Sequence, residues 1–182
     1  VMPGHSESYT AANGFDVDVA GVAIIGLGKG DARPHFHFAD TDATVAVGAA
    51  GVLLKNLRFI GGISAVVVGV DVEAAGAGCI VEDCEWFWGN TTTWDFVLSL
   101  QFTAAASRAV VRNCRFLAEP AVAGAVAAIK LHGAVDNVRI ENNTFMGDYS
   151  SACVLGEDTL CEGLMFVNNL VYNADAAEPY LE

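Results

Sequence analysis

The chain has 182 residues, a hydrophobic content of 53% and a formal net charge of −13, with a pI near 4.4. This length and apolar content predict one domain with a continuous core and argue against an intrinsically disordered chain. No run of roughly eighteen apolar residues occurs, so no transmembrane helix is predicted. The small number of Lys and Arg residues argues against binding to a nucleic-acid backbone.

A pattern of apolar and turn residues recurs six times along the chain. Its reference residue, an Asn or Asp in five of the six copies, returns every 26 to 30 residues, at Gly26, Asn56, Asp83, Asn113, Asn142 and Asn168. Before each reference residue apolar side chains alternate with others, as at Val52 and Leu54, which is typical of a strand with one buried face. A repeat of this period without an amphipathic helix predicts an all-β fold, a parallel β-helix (solenoid) of about six coils.

The repeat divides the chain into predicted coils, in order. A partial first coil covers residues 1–20, regular coils cover 21–171, and a C-terminal cap or interface segment covers 172–182. Such a segment is expected because the end of a solenoid is an open sheet edge. The first residues, Val1 to Gly4, are typical of a strand running into a turn, so we expect a segment to precede them.

Outward-facing charges predict the register between coils. They alternate in sign in two series, Lys55, Glu82, Arg112, Glu141 and Arg58, Glu85, Arg115. Because equivalent residues of successive coils lie about 4.8 Å apart, this alternation brings opposite charges together. The same register predicts one inward column of Leu54, Val81, Val111 and Ile140.

The turn and cysteine residues have structural interpretations. The recurring Asn and Asp residues predict a column of turns, since these residues tolerate the left-handed backbone conformation. Cys84 and Cys114 are expected inside, one coil apart, as free thiols, although a disulfide between them is conceivable. Cys153 and Cys161 flank a loop and could pair. The odd total of five cysteines argues against a complete disulfide framework.

A strand carrying two histidines is the candidate metal site. His35 and His37 would lie on one face of this strand, followed closely by Asp40 and Asp42. These four side chains form a nitrogen and oxygen ligand set. The alternative is an outward polar edge, with Phe36 and Phe38 turned into the core. The edge is the favoured interpretation, and no metal or other cofactor is predicted.

A second candidate is a polar face that could bind or cleave a glycan. Its side chains are expected to stack outward on successive coils: Asp71, Glu73, Gln101, Lys130 and His132. Glycoside hydrolysis needs two carboxylates about 5 to 9.5 Å apart. Only Asp71 and Glu73 are obvious candidates here, so no enzymatic activity is expected.

Tryptophans supply a third candidate surface. Trp88 and Trp94 flank a polar loop and could form a contact surface or pack beneath that loop. Trp86 lies on an inward position of the repeat and is expected to be buried. The sequence contains no glycine-rich phosphate loop, nucleophile elbow or CxxC motif.

The repeats resemble right-handed parallel β-helix proteins of the pectin-lyase-like superfamily, most clearly in segments 22–28, 110–116 and 138–145. Segments 1–7 and 25–34 are more narrowly similar to small β-helix proteins of tailed-phage virions. The resemblance implies a single-stranded, right-handed solenoid. The catalytic motifs of the superfamily are not matched, since only Ile129-Lys130 and His132-Gly133 faintly resemble them, without the paired aspartates.

The resemblance therefore implies a non-enzymatic structural protein, a capsid decoration or cement protein of a phage. Such a protein would self-associate, with a trimer favoured, and bind the phage capsid protein. It would be assembled in the host cytoplasm and located on the virion surface, with no nucleic-acid or membrane partner. The alternative is a tail-spike-like β-helix that binds or cleaves glycans, of the polysaccharide lyase or hydrolase class.

Overall fold

The computed structural model describes residues 1–12, 14–88, 95–119, 124–157, 161–175 and 177–182. These residues form 19 β-strands and one short 3-10 helix, Gly30–Ala32. The strands belong to three parallel sheets around one core. No helix in the described ranges is long and apolar enough to cross a membrane.

The three sheets are named here A, B and C, and their strands are given in spatial order. Sheet A contains β1 (Ser6–Tyr9), β4 (His35–Phe38), β7 (Arg58–Gly61), β10 (Glu85–Phe87), β13 (Arg115–Leu117), β16 (Thr144–Gly147) and β19 (Leu170–Asn173). Sheet B contains β2 (Phe15–Val17), β5 (Val45–Val47), β8 (Val66–Val72), β11 (Phe96–Thr103), β14 (Ala125–His132) and β17 (Tyr149–Gly156). Sheet C contains β3 (Ala23–Ile25), β6 (Leu53–Lys55), β9 (Ile80–Glu82), β12 (Val110–Arg112), β15 (Arg139–Glu141) and β18 (Met165–Val167).

The chain visits the sheets in the order A, B, C and then returns to A. Each strand pairs in parallel with the strand three positions further along, as β4 does with β7 and β7 with β10. This winding confirms the predicted parallel β-solenoid, and its length is close to the six coils expected.

The predicted register between coils is also confirmed. Leu54 lies opposite Val81, Val81 opposite Val111, and Val111 opposite Ile140, all in sheet C and all fully buried. The two charge series are paired in the same register, on the outer surface of sheet C and along sheet A.

An aromatic column fills the core beneath sheet A. Its members face each other on neighbouring strands: Phe36, Phe59, Trp86, Phe116 and Phe145. Ring centroids along this column lie 4.6 to 6.1 Å apart. Stacked and tilted aromatic pairs at such distances add stability beyond the area that they bury. The predicted burial of Trp86 is confirmed.

The recurring Asn and Asp residues form the predicted column of turns. Their φ angles of 55° to 57° place all five in the left-handed region: Asn56, Asp83, Asn113, Asn142 and Asn168. Gly26, in the first copy, does not share this conformation. Glycine is needed there because a Cβ would collide with the backbone oxygen of Asn56 in the next coil.

A second column of left-handed residues lies five residues earlier in every copy, before sheet C. It consists of Gly21, Gly51, Gly78, Arg108, Asn137 and Gly163, with φ between 57° and 73°. The sequence contains the signal for this column, since glycine occupies the position in four of the six copies. Each coil therefore has two tight turns that flank its strand in sheet C.

The C-terminal residues cover one of the three open edges at that end of the solenoid. Residues 180–182 lie along β17, the last strand of sheet B, through a bridge between Val154 and Leu181. Backbone bonds from Gly156 to Glu182 and from Glu182 to Val154 complete this contact. The edges of β18 and β19 end sheets C and A.

Candidate functional site

The outer face of sheet B brings together most of the side chains predicted to form a glycan face. Asp71, Gln101 and Lys130 lie opposite one another on β8, β11 and β14. The Asp71 carboxylate accepts hydrogen bonds from Gln101 Nε2 at 3.3 Å and from Thr103 Oγ1 at 3.2 Å. The predicted outward row of Asp71, Gln101 and Lys130 therefore exists, and a side-chain hydrogen bond joins its first two members. Glu73, just beyond β8, is exposed.

Glu157 completes this face, and the sequence reading did not include it. Its Oε2 lies 3.0 Å from Lys130 Nζ and also contacts His132 Nδ1. The hydrogen bond from Lys130, and then that from His132, hold the pKa of Glu157 below its usual value. The position of Glu157 in the chain could have indicated this contact. Glu157 directly follows Gly156, which pairs with Leu131, and Leu131 lies between Lys130 and His132.

The pKa of Glu157 does not suit the role of a glycosidase acid. A glycosidase needs one carboxylic acid with a raised pKa beside a second carboxylate. Glu157 is shifted in the opposite direction, because it faces Lys130 and His132. A raised pKa, of about 6, is found at Asp95. Asp95 is buried just before β11, where its carboxylate accepts from the backbone of Phe96 and Glu119.

The two histidines of β4 lie on its outer face, with their rings 5.2 Å apart and nearly perpendicular. Burial, and then the neighbouring His35, lower the pKa of His37. Phe36 and Phe38 of the same strand point into the core. The Asp40 carboxylate accepts from the backbone N–H of Asp42 at 3.0 Å. Across the described ranges no group of three or more His, Cys, Asp or Glu residues is arranged to hold a metal ion, so the candidate four-ligand set is not assembled.

The tryptophan surface can be described only in part. Trp88 is partly exposed and stacks on Phe87, with ring centroids 4.7 Å apart. Trp94 lies outside the described residues. The structure therefore places Trp88 at the surface and leaves its proposed partnership with Trp94 a prediction.

All five cysteines are free thiols, as was expected for Cys84 and Cys114. Cys84 and Cys114 are buried inside the solenoid and are not joined. Cys153 and Cys161 do not pair either: Cys161 Sγ lies 3.1 Å from the backbone oxygen of Gly133, and Cys153 is fully buried. The disulfides considered in the sequence reading are therefore absent.

The last coil carries an apolar outer surface that the sequence reading missed. Its residues, called here the C-terminal apolar surface, are Met165 and Val167 of β18 and Leu170 and Tyr172 of β19, with exposed fractions of 45 to 67%. Their inward neighbours in the two strands, Phe166 and Val171, pack against the core. The previous coil places Arg139, Glu141, Thr144 and Met146 at the corresponding outward positions. The outer surface therefore changes from mainly polar to apolar in one coil.

Two candidate functional areas thus lie on different parts of the solenoid. The polar face belongs to sheet B, and the C-terminal apolar surface belongs to the ends of sheets C and A. Comparisons with protein-family models, curated proteins and solved structures found no significant match.

Proposed function

We propose that the protein is a non-enzymatic structural protein that acts by self-association and by attachment to a larger assembly. The observation that carries the proposal is the C-terminal apolar surface. Monomeric soluble proteins rarely leave large contiguous apolar patches exposed. Four large apolar side chains on the two consecutive strands of the last coil are therefore best explained by a partner that covers them.

The partner that fits this surface is a second copy of the chain. β18 and β19 end their sheets, so apolar side chains lie beside open strand edges. An edge with unpaired backbone groups pairs readily with another strand. Side-by-side solenoids related by closed symmetry would cover this region in every copy, and a trimer is the proposed state.

The sequence resemblance supports a specific setting for this assembly, the surface of a phage virion. There the protein would act as a decoration or cement protein that binds the capsid protein. The strongly acidic composition would face solvent or a basic patch on the capsid shell.

Mass measurement in solution by light scattering tests self-association. We expect a particle with three times the chain mass of 19.0 kDa, as for a trimer. The Leu170→Asp variant should shift the particle toward the monomer, because it places a charge in the apolar contact. Val67→Asp is the matched control, since Val67 is exposed to a similar degree on sheet B. A wild-type protein that is monomeric at high concentration would disprove self-association.

Attachment is tested separately, by adding the protein to expanded, undecorated capsids of tailed phages. We expect the protein to co-sediment with capsids and to raise their resistance to heat. An oligomer that neither binds nor stabilises such capsids would remove the virion role and leave self-association intact.

A second candidate function, glycan binding, rests on the polar face of sheet B. The cluster of Lys130, His132 and Glu157, which Gln101 separates from Asp71, presents both charges and hydrogen-bonding groups. Retention of bacterial surface polysaccharides on an array, lost in Lys130→Gln, would support it. Release of cleaved products that stops in Asp71→Asn, but not in the exposed control Asp16→Asn, would establish an enzyme and overturn the non-enzymatic proposal.

A further inference from the structure

The basic residues of this acidic chain are concentrated around one pocket. The chain has nine Lys and Arg residues, and four of them line a pocket of about 590 Å³: Lys29, Arg33, Lys55 and Arg115. The pocket lies between the loop that follows β3 and the column of turns that joins sheets C and A. A volume of this size is within the range of small-molecule sites.

The arginines at this pocket outnumber the carboxylate that they share. Glu85 is buried and contacts Arg33 at 3.4 Å, Arg58 at 3.3 Å and Arg115 at 3.3 Å. Arg33 and Arg115 both reach the same oxygen, Oε2, so their guanidinium groups are neighbours. One carboxylate therefore faces three guanidinium groups, and two of these, on Arg33 and Arg115, belong to residues that line the pocket.

Of the two pocket lysines, only Lys29 adds to this excess. Lys55 is balanced by Glu82 at 3.0 Å and by Asp83, which also lines the pocket, at 3.6 Å. Lys29 is exposed and has no ion pair with any described residue. The Nε atom of Arg33 is buried and has no hydrogen-bond partner within the described ranges. The pocket thus carries a surplus of positive charge.

The loop over the pocket is fixed by the neighbouring coil. Asn56 Nδ2 donates to the backbone oxygens of Gly26 at 2.7 Å and Gly28 at 2.8 Å. Arg33, at the other end of this loop, is anchored by Glu85. Because side chains from two coils hold the loop, the cationic groups are positioned before any ligand arrives.

We propose that this pocket binds a small, multiply charged anion through its phosphate or carboxylate groups. Guanidinium groups present planar pairs of donors that match both kinds of oxyanion, and lysines supply mobile point charges. A protein with a net charge of −13 repels anions in general, so binding at this pocket requires a local site. This role goes beyond the proposed function and does not depend on it.

Titration calorimetry with pyrophosphate and with citrate at low ionic strength tests the proposal. We expect saturable binding of at least one of them, with one site per chain, that weakens as salt is added. Their relative affinities distinguish phosphate from carboxylate ligands. Lys29→Gln and Arg115→Gln should each weaken binding about tenfold, the effect of losing one charge-assisted contact.

Matched controls remove the same charges elsewhere. Arg139→Gln and Arg108→Gln change residues outside the pocket and should leave the affinity unchanged. Lys29 has no ion pair to break, so its variant should fold like the wild-type protein. The proposal is overturned if neither anion binds saturably up to about 10 mM. It is equally overturned if Lys29→Gln and Arg115→Gln bind as tightly as the two controls.

Discussion

Arg115 Nη1 lies 3.3 Å from Glu85 Oε2, on a strand one coil further along the solenoid. Arg58, one coil earlier, contacts the other carboxylate oxygen at 3.3 Å. Because the Glu85 side chain is only 6% exposed, its charge relies on these arginines and on Arg33. This carboxylate therefore links successive coils of sheet A through one buried charge.

Replacing that charge should weaken the whole domain. We expect Glu85→Gln to lower the free energy of unfolding by about 1 to 3 kcal/mol, because it leaves three arginines without their common partner. The loss should be smaller than for a fully buried pair, since the arginines are partly exposed. Urea denaturation measures the effect.

The matched control for this variant is Glu73→Gln, at an exposed glutamate. Surface substitutions of this kind change the free energy of unfolding by less than about 0.5 kcal/mol. Equal stability of the two variants would show that the arginines around Glu85 contribute nothing measurable to folding.

The pairing of Glu85 with Arg58 and Arg115 could be predicted from the sequence, because each coil of a solenoid repeats the geometry of the one before it. Strands of successive coils are stacked at a fixed spacing, so an outward Glu such as Glu85 meets the residue one repeat away on each side. The inward column through Val111 follows from the same spacing. Fold and register could therefore be predicted without any comparison.

Features outside the repeat could not be predicted in this way. Arg33 reaches Glu85 from a loop that has no equivalent in other coils, so the basic pocket has no periodic signal. Glu157 lies beside Lys130 after a register shift between β14 and β17, an irregularity that the repeat spacing does not indicate. Arg108 adopts a left-handed conformation that its residue type does not indicate, although the glycines at the same position of four other copies do.

The column of turns allows a test of how much the left-handed backbone conformation costs each residue type. Asn113 has a φ of 56°, is exposed and makes no side-chain hydrogen bond among the described residues. We expect Asn113→Ala to lower the free energy of unfolding by about 1 kcal/mol, since alanine tolerates this conformation poorly. Asn113→Gly should leave it nearly unchanged, because glycine adopts the conformation without strain. Equal destabilisation by both variants would instead assign the effect to the asparagine side chain.

The thiols report on the packing of the coils. Four cysteines are buried, and Cys161 alone of the five is partly exposed. Burial raises the pKa of Cys79 and of Cys153 to about 12, and it also raises the pKa of Cys114. Since the thiolate is the reactive form, a thiol reagent at pH 8 should label one residue rapidly in the native protein and all five in urea.

Mass spectrometry of the labelled protein identifies the reactive residue, and Cys161→Ser provides the control. The variant should lose the rapid reaction and keep the four slow ones. Rapid labelling that persists in Cys161→Ser would mean that one of the buried cysteines is accessible, in conflict with the packed core described above.

Asp95 is expected to make the free energy of unfolding depend on pH. Burial is the largest cause that raises its pKa, to about 6, and the nearby Glu119 acts in the same direction. An unfolded Asp has a pKa of about 3.9. Between these values the folded protein holds a proton that the unfolded chain has released, so this group's contribution to stability falls as the pH rises through that window. The expected loss is roughly 2 to 3 kcal/mol, complete above the folded pKa.

Asp95→Asn should remove this dependence, because an amide does not titrate. We expect the variant to gain stability relative to the wild-type protein between pH 4 and pH 7.5, as measured by urea denaturation at both values. The difference between the two proteins isolates Asp95 from carboxylates whose pKa is lowered, such as Glu82, which act in the opposite direction. Asp16→Asn, at an exposed position on sheet B, should differ from the wild-type protein by the same small amount at both pH values. If Asp95→Asn also showed a constant difference, the carboxyl would be ionised in the folded protein at pH 4. Its buried position would then have to be stabilised by the two backbone N–H donors strongly enough to outweigh desolvation.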